Sequence, residues 1–356
     1  MLFESIRIRD LEVKNRAWVA PMCMYSCEDR DGVVNSFHVV HYGSRAYGGA
    51  GLVMVEATAV VAEGRITPWC TGIWNDQQVK AWRPVTDAIR AGGAASAIQL
   101  AHAGRKASTH RAQSGSGSVA IGDGGWQTVS ATSEAFEGYA APRELSTAEV
   151  AQIPLQFAEA AKRSVDAGFD AIEIHAAHGY LMHQFLSPIS NKRTDVYGGS
   201  LENRARLLLD TAREIRKVIP AGMPLMIRFS ATDYREDGWD QQQTATVAGW
   251  AAELGVDLFD ISSGGLITGV KIPSGPGYQV PLSEFVAEQV EAPVSAVGQI
   301  TDAKQAEEIL QAGLVDVIML GRAELRDPYW PLRAAHELGV EVEWPVQYQR
   351  GKWPSA

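Results

Sequence analysis

Two histidines and a tyrosine fall within six residues at His175-Ala176-Ala177-His178-Gly179-Tyr180. Two imidazoles at that spacing on a loop can each donate a hydrogen bond to one substrate oxygen and stabilise charge developing there. A phenol, with an ordinary pKa near ~10, is a proton donor at neutral pH. A His-x-x-His pair could instead ligate zinc, or be structural. No cysteine pair or acidic ligand at metal spacing follows it, and the helical His-Glu-x-x-His form is absent, which disfavours a metal. A second candidate site is Gly298 with Gly321-Arg322. Backbone N–H groups beside a guanidinium suit a phosphate, the alternative being turn glycines and a surface arginine. Gly48-Gly49-Ala50-Gly51 precedes an apolar run instead of following one, so it is no dinucleotide fingerprint. No G-x-x-x-x-G-K-[ST] loop and no G-x-S-x-G elbow is present. Cys23 and Cys27 lack a second pair for zinc, and Cys27 and Cys70 read as spectators.

The elements that must position these residues repeat one pattern. A helix-like stretch ends in a small residue and Gly, an Asp follows, and then an apolar strand begins. It occurs at Ala167-Gly168-Phe169-Asp170, at Leu254-Gly255-Val256-Asp257 and at Ala312-Gly313-Leu314-Val315-Asp316. The strands that follow are short and rich in β-branched residues, as strands buried on both faces are. Looser copies bring the count to eight candidate strands, starting near residues 18, 52, 97, 171, 225, 258, 293 and 317. Between them lie helical stretches. Ser146 to Glu149 forms a capping box, followed by apolar Ile153, Phe157, Ala161 and Val165 on one face. Pro154 predicts a distortion in the first turns of that helix. Residues 200–218 and 303–312 read as similar helices.

Eight strands alternating with helices point to a single α/β domain over residues 1–356, a (β/α)8 TIM barrel with an N-terminal cap segment and a tail from about residue 340 to 356. An open doubly wound sheet is the alternative. The long Gly/Ser-rich excursion after strand three, residues 103–145, reads as a lid or a subunit contact. Barrel enzymes work at the C-terminal ends of their strands. Here those ends carry Cys23, Gln99, His102, His175, Arg228, Ser262, Gln299 and Arg322, with Lys106 just beyond strand three. Polar groups at the ends of buried strands outline a ligand site.

Charge narrows the function. Thirty-two Lys and Arg against 42 Asp and Glu leave a net charge of −10. That disfavours non-specific nucleic-acid or anionic-membrane binding. No apolar run of ~18 residues suggests a membrane span, and three cysteines are too few for a disulfide framework. The N-terminal residues lack the basic-then-apolar order of a signal peptide, so a cytoplasmic enzyme is expected.

The segments Ala20-Pro21-Met22-Cys23-Met24-Tyr25, Gln99 to Lys106, His175 to Tyr180, Ser187-Pro188 to Asn203-Arg204, and Gly321-Arg322 together resemble the old yellow enzymes. These are flavin-dependent ene-reductases, and the resemblance is to the bacterial subgroup that includes xenobiotic reductases. It spans nearly the whole chain. It implies non-covalent FMN in a (β/α)8 barrel, with NADPH or NADH as hydride donor. It further implies that Gln99 and Arg228 bind the flavin pyrimidine edge, and that Pro21, Met22 and Ala57 line the ring. Cys23 would sit near the flavin N5–O4 edge, and Gly298, Gly321 and Arg322 would hold the phosphate. His175 and His178 would bind the substrate oxygen, Tyr180 would protonate the alkene, and Tyr25 would line the pocket. Lys106 matches a lysine of the family. Gln347-Tyr348-Gln349-Arg350-Gly351 resembles a tail that reaches a neighbouring subunit's site, which implies a homodimer or larger homo-oligomer and a substrate-binding Arg350. Val297 stands where some relatives carry an aromatic residue, which implies a roomier pocket. The expected reaction is NAD(P)H-driven reduction of activated alkenes: enones, enals, maleimides and nitroalkenes. Donor and alkene would take turns in one place. The rival reading is a flavin-free barrel lyase or aldolase acting on a phosphorylated substrate. Iron–sulfur relatives are excluded, because no cysteine follows Cys70.

Overall fold

The computed structural model describes residues 1–354. Eight strands form a closed barrel: β1 (Ala17–Val19), β2 (Leu52–Ala59), β3 (Ala95–Ala101), β4 (Ala171–Ala176), β5 (Leu225–Ser230), β6 (Leu258–Ser262), β7 (Val294–Ala296) and β8 (Val317–Leu320). Each strand pairs in parallel with the next in sequence, and β8 closes on β1. The strand starts agree with the expected ones to within two residues. β2 runs further than the sequence suggests, through Glu56-Ala57-Thr58, with a register irregularity between Val55 and Ala57.

The glycine–aspartate repeat has a structural cause. Gly168, Gly255 and Gly313 take left-handed φ values of 90°, 88° and 70° and turn each helix back toward the sheet. The aspartates then stitch each strand to its neighbour's start. Asp170 accepts from the Ser96 N–H at 2.8 Å, Asp257 from Leu225 at 2.9 Å and Asp316 from Val294 at 2.9 Å. Each bond satisfies an amide at the barrel's entry end that no strand partner reaches.

An antiparallel hairpin, Ile6–Ile8 with Leu11–Val13, plugs that end. Ile8 and Val13 pack with Trp18, Met54, Met226 and Met319 in the barrel interior. The helix expected after Ser146 is broken in two. Thr147–Val150 forms one turn, and Ile153–Asp166 restarts with Pro154 in its first turn, where the missing N–H costs nothing. Leu201–Val218 packs against the second piece. Residues 103–145 carry only short turns and a two-residue strand pair, Val129–Ser130 with Arg143–Glu144. Arg105, Ala107, Ser108, Thr109, Ser130 and Ala131 within them are buried, so the start of this excursion and the Ser130–Ala131 pair join the core. Among the described residues no helix is long and apolar enough to cross a membrane.

Candidate active site

β4 delivers His175 from its last turn of strand, and the loop beyond it carries His178 and Tyr180. The His175 ring stands edge-on to His178 at 5.2 Å and to Tyr180 at 5.0 Å between centroids. Burial holds both imidazoles well below their usual pKa, so both rings are neutral at pH 7. The Ala177 N–H donates to His175 Nδ1 at 3.3 Å, which leaves the His175 proton on Nε2. His178 Nε2 lies 2.7 Å from Ser262 Oγ at the end of β6. Burial pushes the Tyr180 phenol up, so it stays protonated. Lys106 places Nζ 5.2 Å from the Tyr180 ring and 4.7 Å from the Phe136 ring. That ammonium also donates to the carbonyls of His178 and Gly265, at 2.9 and 2.8 Å, and burial brings its pKa down to about 8.

The β1 end supplies Pro21 to Tyr25. Cys23 is half-buried, and burial pushes its thiol well up, so it is neutral. Tyr25 sits at φ +53°, beside Cys23. Cys23, Tyr25 and Tyr180 pack around Ala57, Cys70 and Ala101, with Trp126 from the excursion over them. Glu56 holds this loop from below. Its carboxylate accepts from the Met24 N–H at 3.0 Å and from the Tyr42 hydroxyl at 3.0 Å, with His38 Nε2 at 3.7 Å. Complete burial raises Glu56 from 4.5 to about 7. A raised folded-state pKa means that the unfolded chain ionises first, so this group's contribution to stability is lost as pH rises from about 4.5 to 7. The unfolding free energy of wild type minus that of Glu56→Gln is expected to fall across that window by on the order of 3 kcal/mol. Denaturant titrations at several pH values check this, and parallel pH curves for the two proteins reject it.

Beneath the mouth runs a buried polar belt. Gln99 Nε2 donates to Glu173 Oε1 at 2.7 Å, Arg228 Nε pairs with Asp260 Oδ2 at 2.9 Å, and Ser295 Oγ donates to Asp260 Oδ1 at 2.7 Å. Desolvation and the neighbouring Asp260 charge raise Glu173 well above the usual carboxylate range. The two terminal nitrogens of Arg228 have no protein acceptor among the described residues. They open on a cavity of about 410 Å³ that extends from Arg228 and Ser262 past Val297 and Gly298 to Gly321, Arg322 and Arg326. Gly298 there has φ +125°, and a Cβ on it would meet Gln279 Nε2 at 2.8 Å. Met22 Sδ lies within 3.7 Å of the Cβ position of Gly321, which ties the β1 end to this corner.

The structure thus brings Cys23, Tyr25, Ala57, His175, His178 and Tyr180 to one mouth, with Gln99 and Arg228 below it. Gly298, Gly321 and Arg322 line the adjoining cavity. Arg350 is elsewhere. Its tail segment, Glu341–Gln347, lies against Lys14, Gly49 and Gly92, which lead into the first three strands at the end away from the mouth. Tyr348 packs on Tyr47 and Tyr329. Sequence reasoning missed Glu173, Asp260 and Gln279, and it gave the strand-end residues Glu56 and Ser230 no role. The signal for Glu173 and Asp260 was legible: Ile172-Glu173-Ile174 and Phe259-Asp260-Ile261 put a carboxylate in a strand buried on both faces. Among the described residues no cluster of three or more His, Cys, Asp or Glu is placed to hold a metal ion.

Residues 1–341 match the model of the NADH:flavin oxidoreductase / NADH oxidase family. A curated NADPH dehydrogenase of Bacillus subtilis is 46% identical over 351 residues, 98% of each chain. A solved old yellow enzyme homologue from Zymomonas mobilis superposes with a TM-score of 0.80 at 28% identity, covering 99% of this chain and 98% of its own. A solved complex of 2-naphthoyl-CoA reductase with 2-naphthoyl-CoA has a TM-score of 0.85 at 28% identity. It matches 94% of this chain, which spans only 52% of that longer one.

Proposed function

The chain belongs to the NADH:flavin oxidoreductase / NADH oxidase family, and on that premise we propose that it reduces the C=C bond of activated alkenes with electrons from NADPH or NADH. It is an FMN-dependent oxidoreductase of the old yellow enzyme type. The residues present fit FMN. The free ends of the Arg228 guanidinium face the cavity, which continues to Gly298, Gly321 and Arg322, and this supports one elongated, anionic ligand spanning both. Gln99 and Arg228 would hold the pyrimidine edge, Pro21, Met22 and Ala57 the ring faces, and Gly298, Gly321 and Arg322 the phosphate. FMN bound by these residues would supply the hydride-transfer chemistry between nicotinamide and substrate.

The chain's own residues supply the rest. His175 donates from Nε2. His178, whose Nε2 lies 2.7 Å from Ser262 Oγ, is assigned as the second neutral donor, so that two imidazoles meet one carbonyl or nitro oxygen. Their neutrality matters: they stabilise developing negative charge without releasing a proton to it. Tyr180 delivers its proton to the α-carbon. Cys23, as a neutral thiol and weak donor, would tune the flavin when it is bound. Arg350, at the far end of its own barrel, is assigned to the mouth of a second copy in a homo-oligomer. The flavin-free lyase reading has no support here: Lys106 is committed to two carbonyls, and Lys271 is exposed in a loop.

The conjunction of the His175–His178–Tyr180 mouth with the Arg228-to-Arg322 cavity carries this proposal. An absorption spectrum tests it. The purified protein is expected to show flavin bands near ~450 nm that bleach with NADPH in the absence of oxygen and return when an enone is added. Protein that is colourless and takes up no added FMN rejects it.

A further inference from the structure

His178 and Gly179 are consecutive left-handed residues, at φ +58° and +73°. A histidine is sparsely populated there, so the surrounding structure must hold the turn. It does so group by group. The His178 N–H donates to Ser230 Oγ at 2.9 Å, and the His178 carbonyl accepts from Lys106 at 2.9 Å. The Gly179 carbonyl accepts from Gln184 Nε2 at 2.7 Å, and the Tyr180 N–H donates to the Ala177 carbonyl at 3.2 Å. The Gly179 N–H donates to Nδ1 of His183 at 3.0 Å.

That last bond depends on chemistry one step away. An N–H aimed at Nδ1 needs a bare nitrogen, so His183 must carry its proton on Nε2. His183 Nε2 lies 3.0 Å from Asp233 Oδ1 as a buried charge contact, off the line of a hydrogen bond, and both side chains are fully buried. The other carboxylate oxygen, Oδ2, accepts from the Trp239 N–H at 2.8 Å and from Ser187 Oγ at 2.6 Å. A backbone N–H is an obligatory donor, so the oxygen at Oδ2 is pinned, and Oδ1 is what His183 meets.

We propose that Asp233 and His183 are positioning residues for the catalytic turn: the carboxylate fixes the tautomer of His183, and His183 holds the Gly179 amide and so sets the placement of His178 and Tyr180. The inference rests on the reading of His178 as a donor to the substrate oxygen. Its physical content is a tautomer switch. In Asp233→Asn the Trp239 N–H still demands an oxygen, so the amide NH2 must face His183. That moves the His183 proton to Nδ1, directly against the Gly179 N–H.

The test uses FMN-loaded protein and phenol as the probe. Three proteins are compared: wild type, Asp233→Asn and His178→Ala. Asp233→Asn is expected to keep its flavin absorbance and to melt close to wild type, while its phenol dissociation constant rises at least tenfold. Histidine 15N spectra should show His183 as the Nε2–H tautomer in wild type and as Nδ1–H in the variant. If His178→Ala weakens phenol binding and Asp233→Asn does not, the positioning role is overturned and the reading of His178 survives. If His178→Ala leaves phenol binding unchanged, the reading of His178 itself fails, and the inference with it. Should Asp233→Asn not fold, His183→Asn takes its place. Its Oδ1 stands where Nδ1 stood and accepts from Gly179, so binding within threefold of wild type is expected. Weakening as large as in His178→Ala overturns the proposal, as does an Nδ1–H tautomer in wild type.

Discussion

Tyr180→Phe is expected to slow the alkene half-reaction by ~10²–10⁴-fold, the usual worth of a positioned proton donor, while flavin reduction by NADPH stays within about threefold of wild type. The geometry isolates the hydroxyl. The ring is held edge-on to His175 and under the Lys106 ammonium, and neither contact needs the oxygen. No protein group among the described residues accepts or donates at the Tyr180 hydroxyl. Phenylalanine therefore keeps the packing and removes only the proton. Stopped-flow absorbance separates the halves: flavin bleaching reports the nicotinamide step, and recovery of colour reports the alkene step. Equal slowing of both halves would mean that Tyr180 shapes the pocket and donates nothing.

His178→Ala carries the second large effect. Loss of one donor to a developing oxyanion costs ~2.7–4 kcal/mol in comparable sites, or ~10²–10³-fold in the rate of enone reduction. Phenol binding should weaken as well, because a phenol oxygen takes the same two donors. FMN content should hold, since His178 is not among the residues lining the cavity that runs from Arg228 to Arg322. His178→Asn is expected to recover part of the loss, because asparagine tolerates φ near +58° and offers an amide donor. An unchanged rate with an enone in His178→Ala would remove this residue from substrate binding.

The strand starts were legible because parallel barrel strands are buried on both faces and write themselves as short apolar runs after a Gly–Asp turn. The mouth residues were legible because a polar side chain at the end of such a run has no packing reason to be there. Gln99, Arg228, His175 and Ser262 were found that way. Pro154 was read correctly as a disturbance, but whether the helix bends or breaks there depended on where its first turn restarts. The excursion over residues 103–145 reads as a lid or a subunit contact from its length and Gly/Ser content. Burial of Arg105, Thr109 and Ser130 within it is a tertiary outcome that composition does not encode.

By itself, the sequence determined the barrel, the order of its strands and the roster of groups at their C-terminal ends, because local pattern and strand burial are properties of neighbours in the chain. Tertiary structure alone decided how those groups are charged and aimed. Glu56 near neutral pH, Glu173 beside Asp260, and the His183 tautomer set by Asp233 fifty residues away all arise between elements distant in sequence. The physical reason is that desolvation and hydrogen-bond direction act through space, over a few ångströms, and spacing along the chain carries no record of them.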